Sequence, residues 1–261
     1  MAVAQTQILI PQVHIKRPSD DGLDDGLDAL IRGYTTQKPD ERRKVKVVGE
    51  NKLGRMFRFY LEEQHHVNFL DGFERIPRLV LTPSEINSLL NAIILFDDEK
   101  EAIEYKLSVF VTQLIKKSYT VGYNNFVLDF SQLEKQTRYL GKNLVAKPKN
   151  PIYIKIYGDL SDDCGLNAKY VHFDIDGNVN SPCLGVNAEH CSFTITGNVK
   201  GIYLGAHILG WSGKACSFKT PNKKTLETFK MYIPNGYNHM IYFIHPNGTE
   251  ELIKRKITKI N

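Results

Sequence analysis

Two aspartates in the segment FDID, Asp174 and Asp176, have the residue type and spacing that acid–base chemistry requires. Residues two apart in a strand point to the same face, so the two carboxylates would lie side by side. Such a pair can act as the acid and the base in glycoside hydrolysis. Thr194 and Thr196 are expected one repeat away, and neither arginine nor lysine is expected nearby. The aspartates therefore indicate a carbohydrate-active enzyme as one alternative function.

The chain contains cysteines and histidines, which are common zinc ligands, but their spacing does not predict a metal site. These residues are Cys164, Cys183, Cys191, Cys216, His172 and His190. They include no Cys-x-x-Cys pair, and a histidine next to a cysteine in a strand points to the opposite face. Glu62 and His66 would share a helix face without a third ligand. The Asp-Asp-Gly-Leu tandem in residues 19–30 lacks the spacing of an EF-hand loop. We therefore expect no cofactor and no metal.

The net charge of +5 is mild, but basic residues are concentrated near both ends of the chain. The two clusters are Arg42, Arg43, Lys44 and Lys46, and Lys254, Arg255, Lys256 and Lys259. Neutralisation of phosphates by such residues supplies most non-specific affinity for nucleic acid, so nucleic-acid binding is a second alternative function. No aromatic motif accompanies either cluster, which favours solvated tails as the simpler interpretation.

The sequence predicts a soluble protein. No stretch approaches the roughly 18 consecutive apolar residues that a membrane span needs. The N-terminus lacks the basic and then apolar order of a secretory signal. A hydrophobic fraction of 42% is sufficient for a buried core. We expect a cytoplasmic location and no association with a membrane.

Changes in composition divide the chain into four segments. They are a flexible or irregular segment at 1–50, a mostly helical region at 51–120, β-helix coils at 121–220 and capping strands at 221–261. Within the second segment, Thr82-Pro83-Ser84-Glu85 is a capping box with proline at the first helical position. It predicts the start of a two-helix hairpin at about 83–118.

A glycine turn recurs in the third segment. The glycines are Gly141, Gly165, Gly185 and Gly205, separated by 24, 20 and 20 residues. A period near 20 that contains both a strand and a glycine turn is typical of a solenoid, in which equivalent residues stack. The predicted ladders are Gly165, Gly185 and Gly205, then Asn167 and Asn187, then Phe173, Phe193 and Phe218. We therefore predict a mainly β fold, a short parallel β-helix with a helical N-terminal region (α+β overall). Most of the cysteines would fill its apolar columns as small buried residues.

These coils resemble the glycine-rich β-helix domain that occurs in the large subunit of glutamate synthase and in formylmethanofuran dehydrogenase. The closest match is GNVKGIYLG at 197–205, which has one extra residue before its middle glycine. The turns at 158–165 and 177–185 lack that glycine, and the resemblance covers about 80 of 261 residues. It implies a right-handed coil that serves as a spacer and docking surface, and it implies no catalytic residue.

One coil is longer than the others. Thirteen residues separate Gly205 from Phe218, where the two preceding coils use eight, and the surplus contains the only tryptophan, Trp211. Insertions in solenoids often form the binding face. The candidate partner-binding residues are Trp211, Lys214 and Tyr203. In the other interpretation, Trp211 folds back to cover the open end of the stack.

The leading functional hypothesis from these observations is a non-enzymatic scaffold or docking module, which binds another protein or associates with itself. It depends on a regular repeat without a convergent set of catalytic residues. The carbohydrate-active enzyme and the nucleic-acid-binding protein stay open as alternatives.

Overall fold

The structure is a computed structural model that describes residues 15–16, 46–47, 52–62, 76–96, 103–133, 137–180, 183–200, 215–232 and 239–253. The helices are α1 (Lys52–Glu62), α2 (Pro83–Phe96), α3 (Ile103–Thr120) and α4 (Lys223–Tyr232). The strands are β1 (Ile15–Lys16), β2 (Lys46–Val47), β3 (Asn125–Asp129), β4 (Ile152–Tyr157), β5 (Val171–Asp176), β6 (Val179–Asn180), β7 (Ser192–Ile195), β8 (Val199–Lys200), β9 (Ser217–Thr220), β10 (Met240–Ile244) and β11 (Glu250–Leu252).

A seven-stranded sheet in the order β11-β10-β9-β7-β5-β4-β3 organises the fold. All neighbouring strands in it are parallel except β10 and β11, which are antiparallel. The register aligns Ile154, Phe173, Phe193 and Phe218 on successive strands. All four side chains are buried, because alternate residues of each strand face the core. The residues between them face outward and form the second surface of the sheet.

The prediction of a mainly β fold built as a β-helix is wrong. The described residues form a mixed α/β fold with one mostly parallel sheet of seven strands and four helices, and no closed solenoid is evident among them. The repeat does stack strands in parallel. Beyond the main sheet, however, parallel pairing is reduced to the two-residue strands β6 and β8 and to single bridges. The physical reason is that the connections are turns whose positive-φ residues are not extended. Hydrogen bonds such as that from the Gly185 amide to the carbonyl of Cys164 (2.9 Å) join neighbouring turns, but they do not form strands.

Each described Gly-x-Asn repeat is a turn with two left-handed residues. The φ angles are +70° and +56° at Gly165 and Asn167, and +67° and +55° at Gly185 and Asn187. These angles suit glycine and asparagine. Steric room also restricts these two positions to glycine, because a Cβ atom on either residue would lie 2.8 Å from the ring of Phe193. The glycine of each repeat therefore serves two purposes: it permits the turn, and it leaves room for the ring of Phe193.

The helices α2 and α3 occupy the region of the predicted hairpin and pack against the sheet through a shared apolar core. The capping box is formed, since the Thr82 amide donates to Glu85 Oε2 at 2.7 Å and the Glu85 amide donates to Thr82 Oγ1 at 3.3 Å. Asn87 of α2 accepts a hydrogen bond from the Asp129 amide at 2.9 Å. This contact places α2 beside the edge strand β3, where it satisfies an exposed backbone donor.

The segment at 221–261, predicted to form capping strands, also contains a helix, because α4 lies at 223–232. The side chain of Asn222 accepts hydrogen bonds from the amides of Lys224 (2.9 Å) and Thr225 (3.3 Å), so it acts as the N-cap. Leu226 and Phe229, three residues apart, are buried on one face of the helix. The strands β10 and β11 follow it.

Of the first fifty residues, the structure describes only the antiparallel pair β1 and β2. The predicted flexibility of the rest of this segment falls outside the described residues.

Candidate functional site

The outer face of the sheet carries a cleft, called here the sheet cleft, with a volume of about 730 Å³. Its floor consists of outward-facing residues of β3, β4, β5, β7 and β9, and the start of α2 forms its side. The polar side chains that line it are Ser84, Asn87, Asn125, Tyr153, Lys155, His172, Asp174, Ser192, Thr194 and Lys219. Alternation along the strands explains this composition, because most of these strand residues lie between two buried ones.

Asp174 lies in the cleft between Lys155 and Thr194, its partners in the register of the sheet. The Lys155 ammonium is 3.0 Å from Asp174 Oδ2. The expectation that Asp174 has no basic neighbour is therefore wrong, because β4 stacks on β5 and places Lys155 directly beside it. This ion pair neutralises both groups and holds the carboxylate in a defined position.

Asp176 does not join Asp174 in the cleft. Thr196 donates a hydrogen bond to Asp176 Oδ1 at 2.8 Å, and Asp176 does not line the cleft. The two carboxylates thus share a strand face but have different partners.

His172 is held on both sides. Its ring stacks on Tyr153 with centroids 4.7 Å apart and planes inclined by 16°. Its Nδ1 is 2.7 Å from Ser192 Oγ. Burial, with the positive charge of Lys219, lowers the pKa of His172. The imidazole is therefore neutral near pH 7, and it fixes the orientation of both Tyr153 and Ser192.

Ser192 and His172 have the residue types of a nucleophile and its base. A triad requires a third group that orients the base through its other nitrogen. Among the described residues, no carboxylate forms a hydrogen bond with His172. The pair is consequently better suited to hydrogen bonding with a ligand than to nucleophilic attack.

Lys219 lies at the far side of the cleft and is paired with Glu250 of β11 at 2.8 Å. Its ammonium also lies 5.2 Å from the centre of the Tyr242 ring. Lys155 and Lys219, the lysines among the described residues of the cleft, thus each have an acidic partner, so this part of the lining carries little net charge.

The predicted ladder residues lie inside the protein or in its turns. The rings of Phe173 and Phe193 stack at 5.1 Å with planes 4° apart, and those of Phe193 and Phe218 stack at 5.3 Å and 15°. The side chain of Asn167 donates a hydrogen bond from its Nδ2 to Asn143 Oδ1 at 2.9 Å. Gly165, Gly185, Asn167 and Asn187 form the turns described above, and Gly205 lies outside the described residues. The described ladder residues position the strands and offer no polar group to the cleft.

The residues predicted to bind a partner, Trp211, Lys214 and Tyr203, lie outside the described part of the chain. The basic clusters lie outside it as well, apart from the backbone of Lys46 in β2. Cys164, Cys191 and Cys216 are buried, and Cys183 is half-buried. Within the ranges that the structure describes, no group of three or more potential ligands is arranged to hold a metal ion.

Comparison with models of known protein families, with curated proteins and with solved structures finds no match for this chain. The resemblance of its glycine turns to the glycine-rich domain of glutamate synthase therefore stays a prediction. In the described part of the chain, no helix has both the length and the apolar character needed to cross a membrane.

Proposed function

We propose that this protein is a non-enzymatic binding module and that it holds a neutral carbohydrate chain in the sheet cleft. The observation that carries the proposal is the combination of an exposed tyrosine with polar groups that are already fixed by one another. The cleft volume of about 730 Å³ lies within the range of small-molecule sites.

Tyr153 supplies the apolar surface. Its side chain is 45% exposed although one side of its ring packs on His172. A tyrosine ring offers a flat apolar surface with a hydroxyl at its tip. A sugar ring has complementary chemistry, with C–H groups on its faces and hydroxyls at its rim. Because His172 holds the tyrosine, little side-chain entropy is lost when a ligand packs on it.

The groups beside Tyr153 match the hydroxyls of a sugar. Asp174 offers acceptors, Lys155 offers donors, and Ser192 and Thr194 offer both. The ion pair of 3.0 Å and the His172–Ser192 contact of 2.7 Å exist before a ligand arrives. Preorganised groups of this kind increase affinity because binding does not need to order them.

The charge balance favours a neutral ligand over nucleic acid. Lys155 and Lys219 are each matched by a carboxylate, from Asp174 and Glu250. Binding to a phosphate backbone depends on cations that release counterions, and the described residues of the cleft provide no surplus of them.

A protein partner is the alternative occupant. Met240 and Leu252 are 41% and 48% exposed and lie on the same outer face of the sheet. Exposed apolar side chains that flank a site are typical of protein interfaces. Met240 and Leu252 do not line the cleft, so they would not contact a ligand bound there. For this reason we favour a carbohydrate over a protein as the occupant of the cleft.

A glycan microarray with neutral and acidic oligosaccharides, followed by titration calorimetry with the best ligand, tests the proposal. We expect Tyr153→Ala and Asp174→Asn to weaken binding by at least about tenfold, since each removes a direct contact. The matched control is Asp176→Asn. Asp176 lies on the same strand and the same face as Asp174 but does not line the cleft, so this variant should bind as the wild type does.

Three outcomes would contradict the proposal. Failure of every oligosaccharide to bind at millimolar concentration would refute the carbohydrate assignment. Equal losses in the cleft variants and their control would show that the effect is structural. Capture of a protein that is lost only in the Tyr153→Ala variant would replace the carbohydrate with a protein partner.

A further inference from the structure

Two buried cysteines, Cys191 and Cys216, lie beside each other directly before the neighbouring strands β7 and β9. Ser192 of β7 and Ser217 of β9 are paired in parallel register, and the cysteines directly precede them. The amide of Ser217 donates to the carbonyl of Cys191 at 2.9 Å, which extends the pairing to the cysteines. The side chains of Cys191 and Cys216 are 2% and 0% exposed, so both point into the core.

The register gives this pair a geometry that a disulfide can span. Neighbouring strands lie about 4.8 Å apart, and a disulfide joins Cα atoms roughly 4.4–6.8 Å apart. Both thiols also point to the same turn, because Cys191 Sγ is 3.5 Å from the carbonyl oxygen of Glu189 and Cys216 Sγ is 3.3 Å from that of Ala188. The two sulfur atoms are therefore directed into one small volume.

His239 adds a third group to this pair. The amide of Cys216 donates to His239 Nδ1 at 3.1 Å, so the imidazole lies next to Cys216 on the side away from Cys191. Hydrogen bonding with Cys191 and the contact with His239 lower the pKa of Cys216 despite its burial, while the hydrogen bond with Cys216 and burial raise the pKa of Cys191. Because the imidazole of His239 lies beside Cys216, Cys216 is the thiol assigned to attack, and Cys191 is assigned to resolve the product.

We propose that Cys191 and Cys216 are an intramolecular redox site, which a hydroperoxide converts reversibly into a disulfide between β7 and β9. The Cys216 sulfur attacks one oxygen of hydrogen peroxide, the O–O bond breaks, and a sulfenic acid and water form. The Cys191 sulfur then attacks the Cys216 sulfur, loses its proton and releases a second water. Two thiols are oxidised to one disulfide, and one peroxide is reduced to two waters. The small size of peroxide allows it to reach the pair during local opening of the core.

The other two cysteines provide the controls. Cys164 is buried in another part of the repeat, and burial raises the pKa of its thiol. Burial and the charge of Asp163 raise the pKa of Cys183 to about 12. Neither thiol is expected to react under conditions that oxidise the pair.

The test is treatment of the full chain with hydrogen peroxide, followed by intact-mass measurement and peptide mapping without reduction. We expect a mass decrease of two hydrogen atoms and a linked peptide that contains Cys191 and Cys216. A thiol reductant should restore the original mass. The oxidised protein should unfold at a temperature roughly 5–10 °C higher, because the cross-link restricts the unfolded chain.

The linked peptide should persist in Cys164→Ser and disappear in Cys191→Ser and Cys216→Ser. Sulfinic acid without a cross-link in the wild-type protein, a disulfide that includes Cys183, or disulfide-linked dimers would each overturn the proposal. The wild-type peptide map decides the question even if a cysteine variant fails to fold. The result is also independent of carbohydrate binding.

Discussion

Replacement of Phe193 by alanine tests whether one aromatic stack holds the parallel strands together. The side chain of Phe193 is fully buried, and its ring lies between those of Phe173 and Phe218 at 5.1 and 5.3 Å. The variant loses both stacking contacts and leaves a cavity at the centre of the sheet. A buried Phe→Ala change costs about 3–5 kcal/mol, and this range includes stacking contributions of roughly 0.5–1.5 kcal/mol per pair. At about 2–4 °C per kcal/mol, Tm should fall by roughly 10 °C.

The same residue is coupled to a glycine turn. A Cβ atom on Gly185 would lie 2.8 Å from Phe193 Cε2 and 2.9 Å from its Cζ, and the φ angle of Gly185 is +67°. Gly185→Ala should therefore destabilise the wild-type protein through a steric clash and through backbone strain. Once Phe193 is alanine, the clash disappears and only the strain remains, which costs about 1–3 kcal/mol. The double variant should consequently be more stable than the sum of the single effects implies, by about 0.5–3 kcal/mol.

The assay is urea unfolding, monitored by circular dichroism, of the wild type, the two single variants and the double variant. Gly122→Ala is the matched control, because Gly122 has a φ angle of +105° and no atom within 4 Å of an added Cβ. It reports backbone strain alone, and its effect should add to that of Phe193→Ala. If the Phe193 and Gly185 effects add within about 0.5 kcal/mol, the reasoning that the glycine exists to admit the ring is refuted. Phe193→Leu replaces alanine in the cycle if Phe193→Ala does not fold.

Two further predictions concern the helices. Burial of Glu85 opposes its ionisation, but its bonds with Lys52 and Thr82 prevail and lower its pKa below its ordinary value. The stabilisation that this carboxylate contributes is present above the pKa of the unfolded chain and is lost as the pH falls through the folded value. Thr82→Ala should lower the free energy of unfolding by about 0.5–2 kcal/mol at pH 7 and should weaken its dependence on acid pH. Urea unfolding of both proteins at several pH values measures this. A difference between them that does not change with pH would contradict the prediction. Buried Lys106 donates a hydrogen bond to the carbonyl of Tyr60 at 2.6 Å. Lys106→Met should therefore lower the free energy of unfolding by about 1–3 kcal/mol in the same assay. A variant as stable as the wild type, or more stable, would show that this hydrogen bond contributes nothing to stability.

The helix cap and the glycine turns could be predicted from the sequence because each depends on residues that are close together in the chain. A capping box at Thr82 and Glu85 depends on residues three apart, and the structure contains it. The Gly-x-Asn turns likewise depend on the few residues that tolerate positive φ, and Gly165 and Gly185 adopt such angles. The spacing of Phe193 from its turn also places it in register with Phe173, one repeat earlier.

The helix α4 differs from the predicted strands although its signal is present in the sequence. Asn222 is a suitable N-cap, and Leu226 and Phe229 have helical spacing. The neighbouring aromatic and β-branched residues favour a strand by local propensity. The helix forms because it buries Leu226 and Phe229 against the core, and this packing outweighs the local preference for a strand.

The pairing of Lys155 with Asp174 is partly encoded as well. Lys155 lies three residues before Gly158, and Asp174 lies three residues before Gly177. If the glycine repeat is extended by one turn toward the N-terminus to include Gly158, Lys155 and Asp174 occupy equivalent positions and lie side by side on neighbouring strands. The relation is hard to see because the turn at Gly158 continues with Asp-Leu, where the later turns continue with Asn-Val. The resulting ion pair is the central electrostatic feature of the sheet cleft.

The sequence by itself determined the turns, the inward and outward alternation of the strands and the aromatic stack, because these follow from backbone conformation and a fixed period. Only the tertiary structure decided that the outward face becomes a cleft. That outcome depends on the docking of α2 beside β3, where Asn87 binds the amide of Asp129, and on the placement of Glu250 beside Lys219. These contacts join residues 42 and 31 positions apart, and no local pattern specifies which distant segment will cover which edge of a sheet.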